Sequence, residues 1–396
     1  MTSLTPSGQT VQSNQGHKTK AAKAPPLHII VRGDAATRGR QYGQQTVDRI
    51  HRSLRAYRTM FETCDISWTE AQQRALLCIP LIEQTFPDLL EELQGIAEGS
   101  KVDFSSLMAL NCRSEILPPD YLVRATKLAA DQLPDAGHIS ECTSFAFARD
   151  GQPVWLAQNW DWVGSQREAL VTLEAHPEDG PAYFTVTEAG MLAKIGFNEH
   201  GLGVTLNILR SANDGEQAGI PVHVLLRGLL DCEDVSEATD LARGLQYAGS
   251  SNVMVADPSG AIASIELAPN GARVLPSEGG QLCHTNHFLH PELAGGDSGL
   301  TGNLSTEARL KTARENISTI NDFDGIKDLL SHTGDGPESV CRFPDTSLPS
   351  DAQVETVVGV AMDLSNKVLQ ISAAQPSVTA FTAYTLVSQS MPASAQ

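Results

Sequence analysis

Glu141-Cys142-Thr143-Ser144-Phe145-Ala146-Phe147-Ala148-Arg149-Asp150-Gly151-Gln152-Pro153-Val154-Trp155-Leu156-Ala157-Gln158-Asn159-Trp160-Asp161 reads as a β-hairpin. Phe145 and Phe147 alternate with the small residues Ser144, Ala146 and Ala148, the period of a strand. Asp150-Gly151 supplies the turn, and Val154-Trp155-Leu156-Ala157 begins the return strand. Pairing two strands across a tight turn brings their open ends together, which sets Asp161 beside Cys142. A thiol held near a carboxylate at the rim of a sheet is a candidate nucleophile. The competing reading is a small buried hydrophobe, the usual fate of a free cysteine.

The chain changes character at Cys142. Before it, from Thr37 to about Ile116, apolar residues recur at helical steps, as in Tyr42, Val47, Ile50, Leu54, Tyr57 and Phe61. Further helical runs cover Glu70–Phe86, Leu89–Ala97 and Phe104–Ile116, with Ser105-Ser106 as candidate caps of the last. Residues 117–141 form a Pro- and Asp-containing connection, expected as a surface loop. Beyond Cys142, hairpin signals sit at Ile195–Leu209, Asn252–Leu267 and Thr356–Ile371, each around a turn rich in Asn, Asp, Gly or Ser. Helical segments are expected at Val222–Leu230, Val235–Leu245, Thr306–Ile320 and Gly325–Leu330. Hairpins in series with helices between them imply an α+β fold of packed antiparallel sheets covered by helices.

Composition bounds the function. The 396 residues are 41% hydrophobic, ample for a large core. A net charge of −19, from 47 acidic and 28 basic residues, argues against nucleic acid and anionic membrane surfaces as partners. No apolar run approaches the roughly 20 residues of a spanning helix. Residues 1–26 are polar, lack the apolar centre of a signal peptide and read as a disordered tail. The seven cysteines are an odd number, scattered and without a CxxC pair, which points to free thiols and a reducing cytoplasm.

Three other constellations carry chemistry. In Cys283-His284-Thr285-Asn286-His287-Phe288-Leu289-His290, three histidines at three-residue spacing resemble a metal site. A metal-binding protein built on His284, His287 and His290 is therefore the alternative of a different class, although no second cluster closes the shell. The same segment also offers Asn286 as an amide donor to a developing oxyanion. Arg342, in an acidic protein, is a candidate fork for a substrate carboxylate or, equally, a surface ion pair. The stretch from Thr187-Glu188-Ala189-Gly190 to Asn207 reads first as a structural hairpin, with Asn207 as a candidate substrate contact.

Asn111-Cys112-Arg113-Ser114-Glu115, Cys142-Thr143, Gln158-Asn159-Trp160-Asp161, Thr187-Glu188-Ala189-Gly190, Gly196-Phe197-Asn198, His284-Thr285-Asn286-His287 and Cys341-Arg342 together resemble one family. It is the acyl-coenzyme A:6-aminopenicillanate (isopenicillin N) acyltransferase family, the C45 peptidases. The resemblance spans roughly His28 to Thr379. It implies an N-terminal-nucleophile hydrolase fold, an αββα sandwich, and a precursor that cuts its own chain between Glu141 and Cys142. Residues 27–141 and 142–396 would then be two fragments of one composite domain.

The resemblance also implies roles. Cys142 would supply both thiol and α-amine, with reference pKa values near 8.5 and 7.7–8.0. Asp161 would orient the amine, Asn286 would donate to the oxyanion, and Arg342 would meet a substrate or intermediate charge. No cofactor or metal is required. The expected substrate is a small-molecule amide, with acyl-CoA as an alternative acyl source, since a Cys142 thioester is close in energy to one with coenzyme A. Glu141 departs from the glycine of the best-known pattern. The ending Pro392-Ala393-Ser394-Ala395-Gln396 is not a peroxisomal address, which agrees with a cytoplasmic location.

Overall fold

The computed structural model describes residues 25–118, 124, 141–300, 304–350 and 352–386. Residues 1–24 of the tail expected over 1–26, and most of the loop expected over 117–141, lie outside the described residues. The chain begins with β1 (Leu27–Gly33) and continues through α1 (Ala35–Thr63), α2 (Trp68–Leu76), α3 (Ile79–Thr85), α4 (Pro87–Ser100), α5 (Phe104–Asn111) and α6 (Arg113–Ile116). Asp34 caps α1 by accepting from Thr37 N at 2.7 Å, and Ser67 caps α2 by accepting from Glu70 N at 3.2 Å. The expected caps Ser105 and Ser106 do not cap α5. Asp103 holds the N-cap position, and both serine hydroxyls accept from Gln72 Nε2 at 3.0 Å.

β1 corrects the purely helical reading of the N-terminal part. In Leu27-His28-Ile29-Ile30-Val31-Arg32-Gly33, Ile29 and Val31 are buried while Ile30 is exposed, the alternation of a strand. It pairs in parallel with β4 (Leu170–Pro177), Leu27 opposite Val171. Two further strands precede β4, namely β2 (Glu141–Phe147) and β3 (Trp155–Val163). They form the expected hairpin, Cys142 opposite Trp160 and Glu141 opposite Asp161.

The remaining elements follow in order. They are β5 (Tyr183–Glu188), β6 (Ile195–Asn198), β7 (Gly203–Ile208), α7 (Val222–Leu229), α8 (Val235–Arg243), β8 (Ser251–Ala256) and β9 (Ile262–Ala268). Then come β10 (Gly271–Pro276), β11 (Gln281–His284), α9 (Pro291–Ala294), α10 (Leu304–Ile317), α11 (Phe323–Leu330), β12 (Val354–Asp363), β13 (Val368–Ser372) and β14 (Phe381–Thr385). The three later hairpins fall where turn residues mark them, at β6–β7, β8–β9 and β12–β13.

Among the described residues one sheet has eight strands, ordered β1-β4-β5-β6-β7-β8-β9-β10, and the other six, ordered β11-β2-β3-β12-β13-β14. They pack face to face, β2 and β3 against β7 and β8. On the outer side of the first sheet α1 covers β1, β4 and β5, and α8 covers β8, β9 and β10. On the outer side of the second, α10 covers β2 and β11, and α11 covers β3 and β12. The layers are therefore αββα.

This layering explains why all nine residues of β3 are buried: both of its faces are covered, so the hydrophobic alternation of a half-exposed strand disappears. The pleat still sorts side chains. Ala146, Leu156, Trp160 and Trp162 enter the core between the sheets, with Cys142, whereas Phe145, Phe147, Trp155 and Ala157 enter the core under α10 and α11.

Candidate active site

Cys142 stands at the start of β2, next to the sheet-edge strand β11, and is 4% exposed. Its position opposite Trp160 puts its thiol on the face that looks into the space between the sheets. The pleat sends Asp161 to the opposite face, where its Oδ1 accepts from Thr356 Oγ1 at 2.6 Å. Thr356 is held in turn by Arg342, whose backbone N donates to Thr356 Oγ1 at 2.8 Å and whose carbonyl accepts from Thr356 N at 3.0 Å. The hairpin thus brings Asp161 to Cys142 as expected, where its carboxylate acts to raise the thiol and its backbone N–H acts to lower it. Arg342 joins the site through its main chain and Thr356. Its half-buried guanidinium is pulled down to about 10 by burial, against the opposing pull of Asp345.

The backbone of Cys142 is gripped from both sides. Its N–H donates to Asn286 Oδ1 at 2.7 Å, and its carbonyl accepts from Arg309 at 2.6 Å. Arg309, fully buried on α10, also donates to Thr143 Oγ1 at 3.0 Å and to Asn286 Oδ1 at 3.1 Å. Two donors on Oδ1 fix the orientation of the Asn286 amide. Its Nδ2 donates to Ile208 O at 2.9 Å. Asn286 thus presents its oxygen to the Cys142 amide and to Arg309, and its N–H to Ile208 O.

Arg309 escaped the sequence reading. The residue lies on a helix of mixed polarity, Leu304-Ser305-Thr306-Glu307-Ala308-Arg309, with no motif around it. Only its burial, in an outer-layer helix packed on β2, marks it.

The three histidines do not converge on one point. His284 spends both ring nitrogens, Nε2 on Glu266 at 2.8 Å and Nδ1 on Thr285 O at 2.9 Å. His287 Nδ1 meets Thr306 Oγ1 at 2.9 Å, and burial first, then His284 and Arg309, push its pKa down to about 4. His290 Nδ1 caps α9, accepting from Glu292 N at 3.3 Å. Among the described residues no cluster of three or more His, Cys, Asp or Glu is placed to hold a metal. Glu266, unremarked in the sequence, ties the segment together by also accepting from Leu289 N and His290 N at 2.6 and 3.0 Å. These bonds present Asn286 rigidly to Cys142.

Asn207 is fully buried on β7 and accepts from Ser144 Oγ at 2.6 Å and from Asn252 Nδ2 at 3.1 Å. Its oxygen thus joins β2 to β7 and β8 and stitches the two sheets beside Cys142.

The thiol itself faces a charged wall. A small cavity of about 10 Å³, space for a single water, is lined by Cys142, Asp161, Trp160, Trp162, Arg113, Lys194, Leu206 and Ile208. The Lys194 ammonium lies 3.4 Å from the centre of the Trp160 ring and donates to Glu188 Oε2 at 2.6 Å. Arg113 reaches the same Glu188 oxygen at 3.5 Å, its guanidinium 5.1 Å and 4.7 Å from the ring centres of Tyr57 and Trp162. Tyr57 bonds Glu188 Oε1. Gly190, at φ +96°, makes the turn that returns the chain from Glu188 to Lys194. A side chain there would be strained and would meet Leu110 Cδ1 at 3.0 Å.

Charge and burial compete over these groups. Burial, then Asp161, push the Cys142 thiol up to about 11, while the Asp161 N–H, Arg309 and Lys194 pull it back. Burial raises Asp161 to about 7, opposed by Arg309 and Thr356. Burial drives Lys194 down to about 7, with Arg113 in the same sense and Glu188 opposing. Burial acts to raise Glu188, but Lys194, Arg113 and Tyr57 prevail and hold it below the ordinary carboxylate value.

An αββα sandwich with a cysteine opening an inner strand is the architecture of N-terminal-nucleophile hydrolases. The sequence pattern of acyl-coenzyme A:6-aminopenicillanic acid acyl-transferase matches residues 147–378. That span takes in Asp161, Lys194, Asn286, Arg309 and Arg342, and Cys142 lies just before it. The acyl-coenzyme A:6-aminopenicillanic-acid-acyltransferase 40 kDa form of Emericella nidulans is 26% identical over 327 residues, 80% of this chain and 84% of that protein. Among solved structures, a variant of conjugated bile acid hydrolase from Clostridium perfringens aligns with a TM-score of 0.42 at 13% identity, covering 62% of this chain and 97% of that one. Penicillin V acylase from Agrobacterium tumefaciens aligns with a TM-score of 0.38 at 16% identity, covering 59% and 83%. This chain belongs to the acyl-coenzyme A:6-aminopenicillanic acid acyl-transferase family, and is an enzyme.

Proposed function

We propose that the protein cuts its own chain between Glu141 and Cys142 and then works as an amidohydrolase through a Cys142 thioester. The observation that carries this reading is the grip on the Cys142 main chain, with N–H on Asn286 Oδ1 and carbonyl on Arg309. A buried amide held by a side-chain acceptor at the mouth of a strand is already placed where a free α-amine would be needed.

In processing, Cys142 Sγ attacks the Glu141 carbonyl carbon and the peptide nitrogen departs with a proton. The resulting thioester is hydrolysed by water, which leaves a carboxylate on Glu141 and a free amine on Cys142. In turnover that amine takes the thiol proton, and Sγ attacks the substrate amide carbonyl. Collapse of the tetrahedral adduct expels the amine product, which receives the same proton. Water then releases the acid and regenerates the thiol.

Asn286 orients the α-amine through Oδ1. Asp161 and Arg309 set the charge around it, and Arg342 with Thr356 positions Asp161. Asn207 holds the strand that forms the site floor and stands ready to contact substrate. The two fragments stay together, because the strand β1 and helices α1 to α6 are built into the sandwich. All seven cysteines are free thiols, which fits a reducing cytoplasm. Among the described residues no helix is long and apolar enough to cross a membrane.

The name of the Emericella nidulans relative supports a second resolution step, in which acyl-CoA loads Cys142 and an amine accepts the acyl group. One experiment separates the two. Processed enzyme is supplied with N-acyl amides alone, and then with acyl-CoA plus the free amines. Release of acid from amides in the absence of CoA, lost in Cys142→Ala, supports hydrolysis. Acyl-CoA-dependent amide formation without hydrolysis of either substrate contradicts it.

A further inference from the structure

In the processing step the Cys142 nitrogen is still an amide, bonded to Asn286 Oδ1, so it cannot take the thiol proton as the free α-amine does in turnover. Another acceptor has to stand beside Sγ. The small cavity against the thiol has Arg113, Asp161 and Lys194 among its lining groups. Arg113 keeps its proton throughout the neutral range. Asp161 is turned by the pleat to the other face of β3, with Oδ1 on Thr356. Lys194 remains, on the face that the thiol shares.

Its placement is well determined. Cys142 and its cross-strand partner Trp160 enter the same core between the sheets, and directly opposed side chains stand about 5 Å apart at Cβ. Lys194 Nζ lies 3.4 Å from the centre of the Trp160 ring. The cavity it shares with the thiol, about 10 Å³, has room for one water. The turn that delivers Lys194 is held from the helices before Cys142. Asn111 Nδ2 donates to Gly190 O at 2.8 Å, and its Oδ1 accepts from Leu192 N at 3.0 Å. Tyr42 donates to Met191 O at 3.0 Å, and Lys194 N donates to Thr185 Oγ1 at 3.0 Å.

The charges around Nζ allow it to lose a proton. Glu188 Oε2 accepts from Nζ at 2.6 Å, and Arg113 approaches the same oxygen at 3.5 Å. Tyr57 bonds the other Glu188 oxygen. His223, bonded to Ala193 O at 3.1 Å, is kept neutral by burial and then by Arg113 and Lys194. Burial brings Lys194 down to about 7, opposed by Glu188 and aided by Arg113. A neutral Lys194 still donates an N–H to Glu188, whose charge Arg113 continues to balance.

We propose that Lys194 is the general base of self-cleavage, taking the Cys142 thiol proton through one water. This deepens the proposed function and rests on cutting between Glu141 and Cys142. The thiol proton passes to the water, and a proton of the water passes to the Nζ lone pair. Sγ bonds to the Glu141 carbonyl carbon, whose π pair moves onto oxygen. The adduct collapses, the C–N bond breaks, and the Lys194 ammonium returns a proton through the water to the departing Cys142 nitrogen. No net proton is gained or lost. Once the α-amine is free, it is the nearer acceptor for turnover.

To test this, the full-length chain, isolated unfolded in urea, is diluted into native buffers from about pH 5 to 9, and the two fragments are followed by mass. Protonated Lys194 cannot accept a proton, so the cutting rate should rise about tenfold per pH unit below 7 and level off above it. Lys194→Arg keeps the charge but not a removable proton, and should cut about 10²-fold more slowly. Lys194→Ala should be as slow, and methylamine, but not tetramethylammonium, should restore its cutting. This arm holds if the arginine variant misfolds, which circular dichroism reports. Asp161→Asn should keep the midpoint near 7. Four results would overturn Lys194 as the base while leaving self-cleavage standing: wild-type cutting rates in Lys194→Arg, a wild-type rate flat with pH, no rescue by methylamine, or a midpoint that vanishes in Asp161→Asn. A wild-type chain that folds and never cuts overturns the proposed function and this inference together.

Discussion

The two faces of β2 at Cys142 are built from similar materials to different ends. On the outer face and the strand edge, Asn286 and Arg309 hold the Cys142 N–H and carbonyl, and Thr356 holds the Asp161 carboxylate. On the inner face, Lys194 and Arg113 line a small cavity beside the thiol, share Glu188 and are steadied by aromatic rings. The outer set fixes where the backbone of the nucleophile lies, and the inner set determines what charge meets its sulfur.

Mutations should separate the faces. The largest effect belongs to Cys142, which both share. Cys142→Ala should leave an uncut and inactive chain, and Cys142→Ser should cut slowly and turn over slower by orders of magnitude. Near-normal turnover in Cys142→Ala would move the chemistry elsewhere. Cys283 would be a poor substitute, since burial raises its thiol to about 12.

On the outer face, Arg309→Met removes the donors to Cys142 O, Thr143 Oγ1 and Asn286 Oδ1 together. Hydrogen bonds to charged groups are worth about 1.5–3 kcal/mol each and are not additive. We expect a loss of about 3 kcal/mol in urea denaturation and a marked slowing of self-cleavage. Unchanged stability and cleavage would mean that Arg309 is not a structural centre of the site.

Asn286→Leu is milder for the fold and sharper for the chemistry. A misdirected α-amine should lower turnover by about 10²-fold, the lower range for a displaced general base, with the KM little changed. A raised KM at normal kcat would instead make Asn286 a substrate contact.

The smallest effect is a pH dependence at Asp161, whose pKa is raised from 3.8 to about 7 by burial. Between these values the folded chain keeps a proton that the unfolded chain has lost, so stability falls as pH rises through that window. In the uncut Cys142→Ala background, Asp161→Asn should abolish this decline. A protein whose stability rises from pH 4 to 7 because of Asp161 would contradict the sign.

The hairpin was legible because its turn residues and the alternation around Phe145 and Phe147 are local signals. The helices from Ala35 to Ile116 were legible for the same reason. β1 was not, since a strand paired in parallel with β4 has no neighbouring turn to announce it and its partner is distant in sequence. The β4–β5 hairpin went unread because covered faces erase the polar alternation. In the site, Cys142, Asp161 and Asn286 could be named from their motifs. Their facing atoms could not: the end of the Asn286 amide that meets Cys142 depends on Arg309, which arrives on α10 from a part of the chain without a motif. Lys194 and Arg113 come together only through the turn at Gly190 and the reach of Arg113 from α6 to Glu188 and Trp162.

Both faces of the site matter to turnover only if Cys142 becomes an N-terminus. Intact-mass measurement of the purified protein under denaturing conditions, with N-terminal sequencing, decides this. Two polypeptides should co-purify under native conditions, residues 1–141 and 142–396, the second beginning Cys142-Thr143-Ser144. A single full-length mass in a preparation that hydrolyses amides would contradict it.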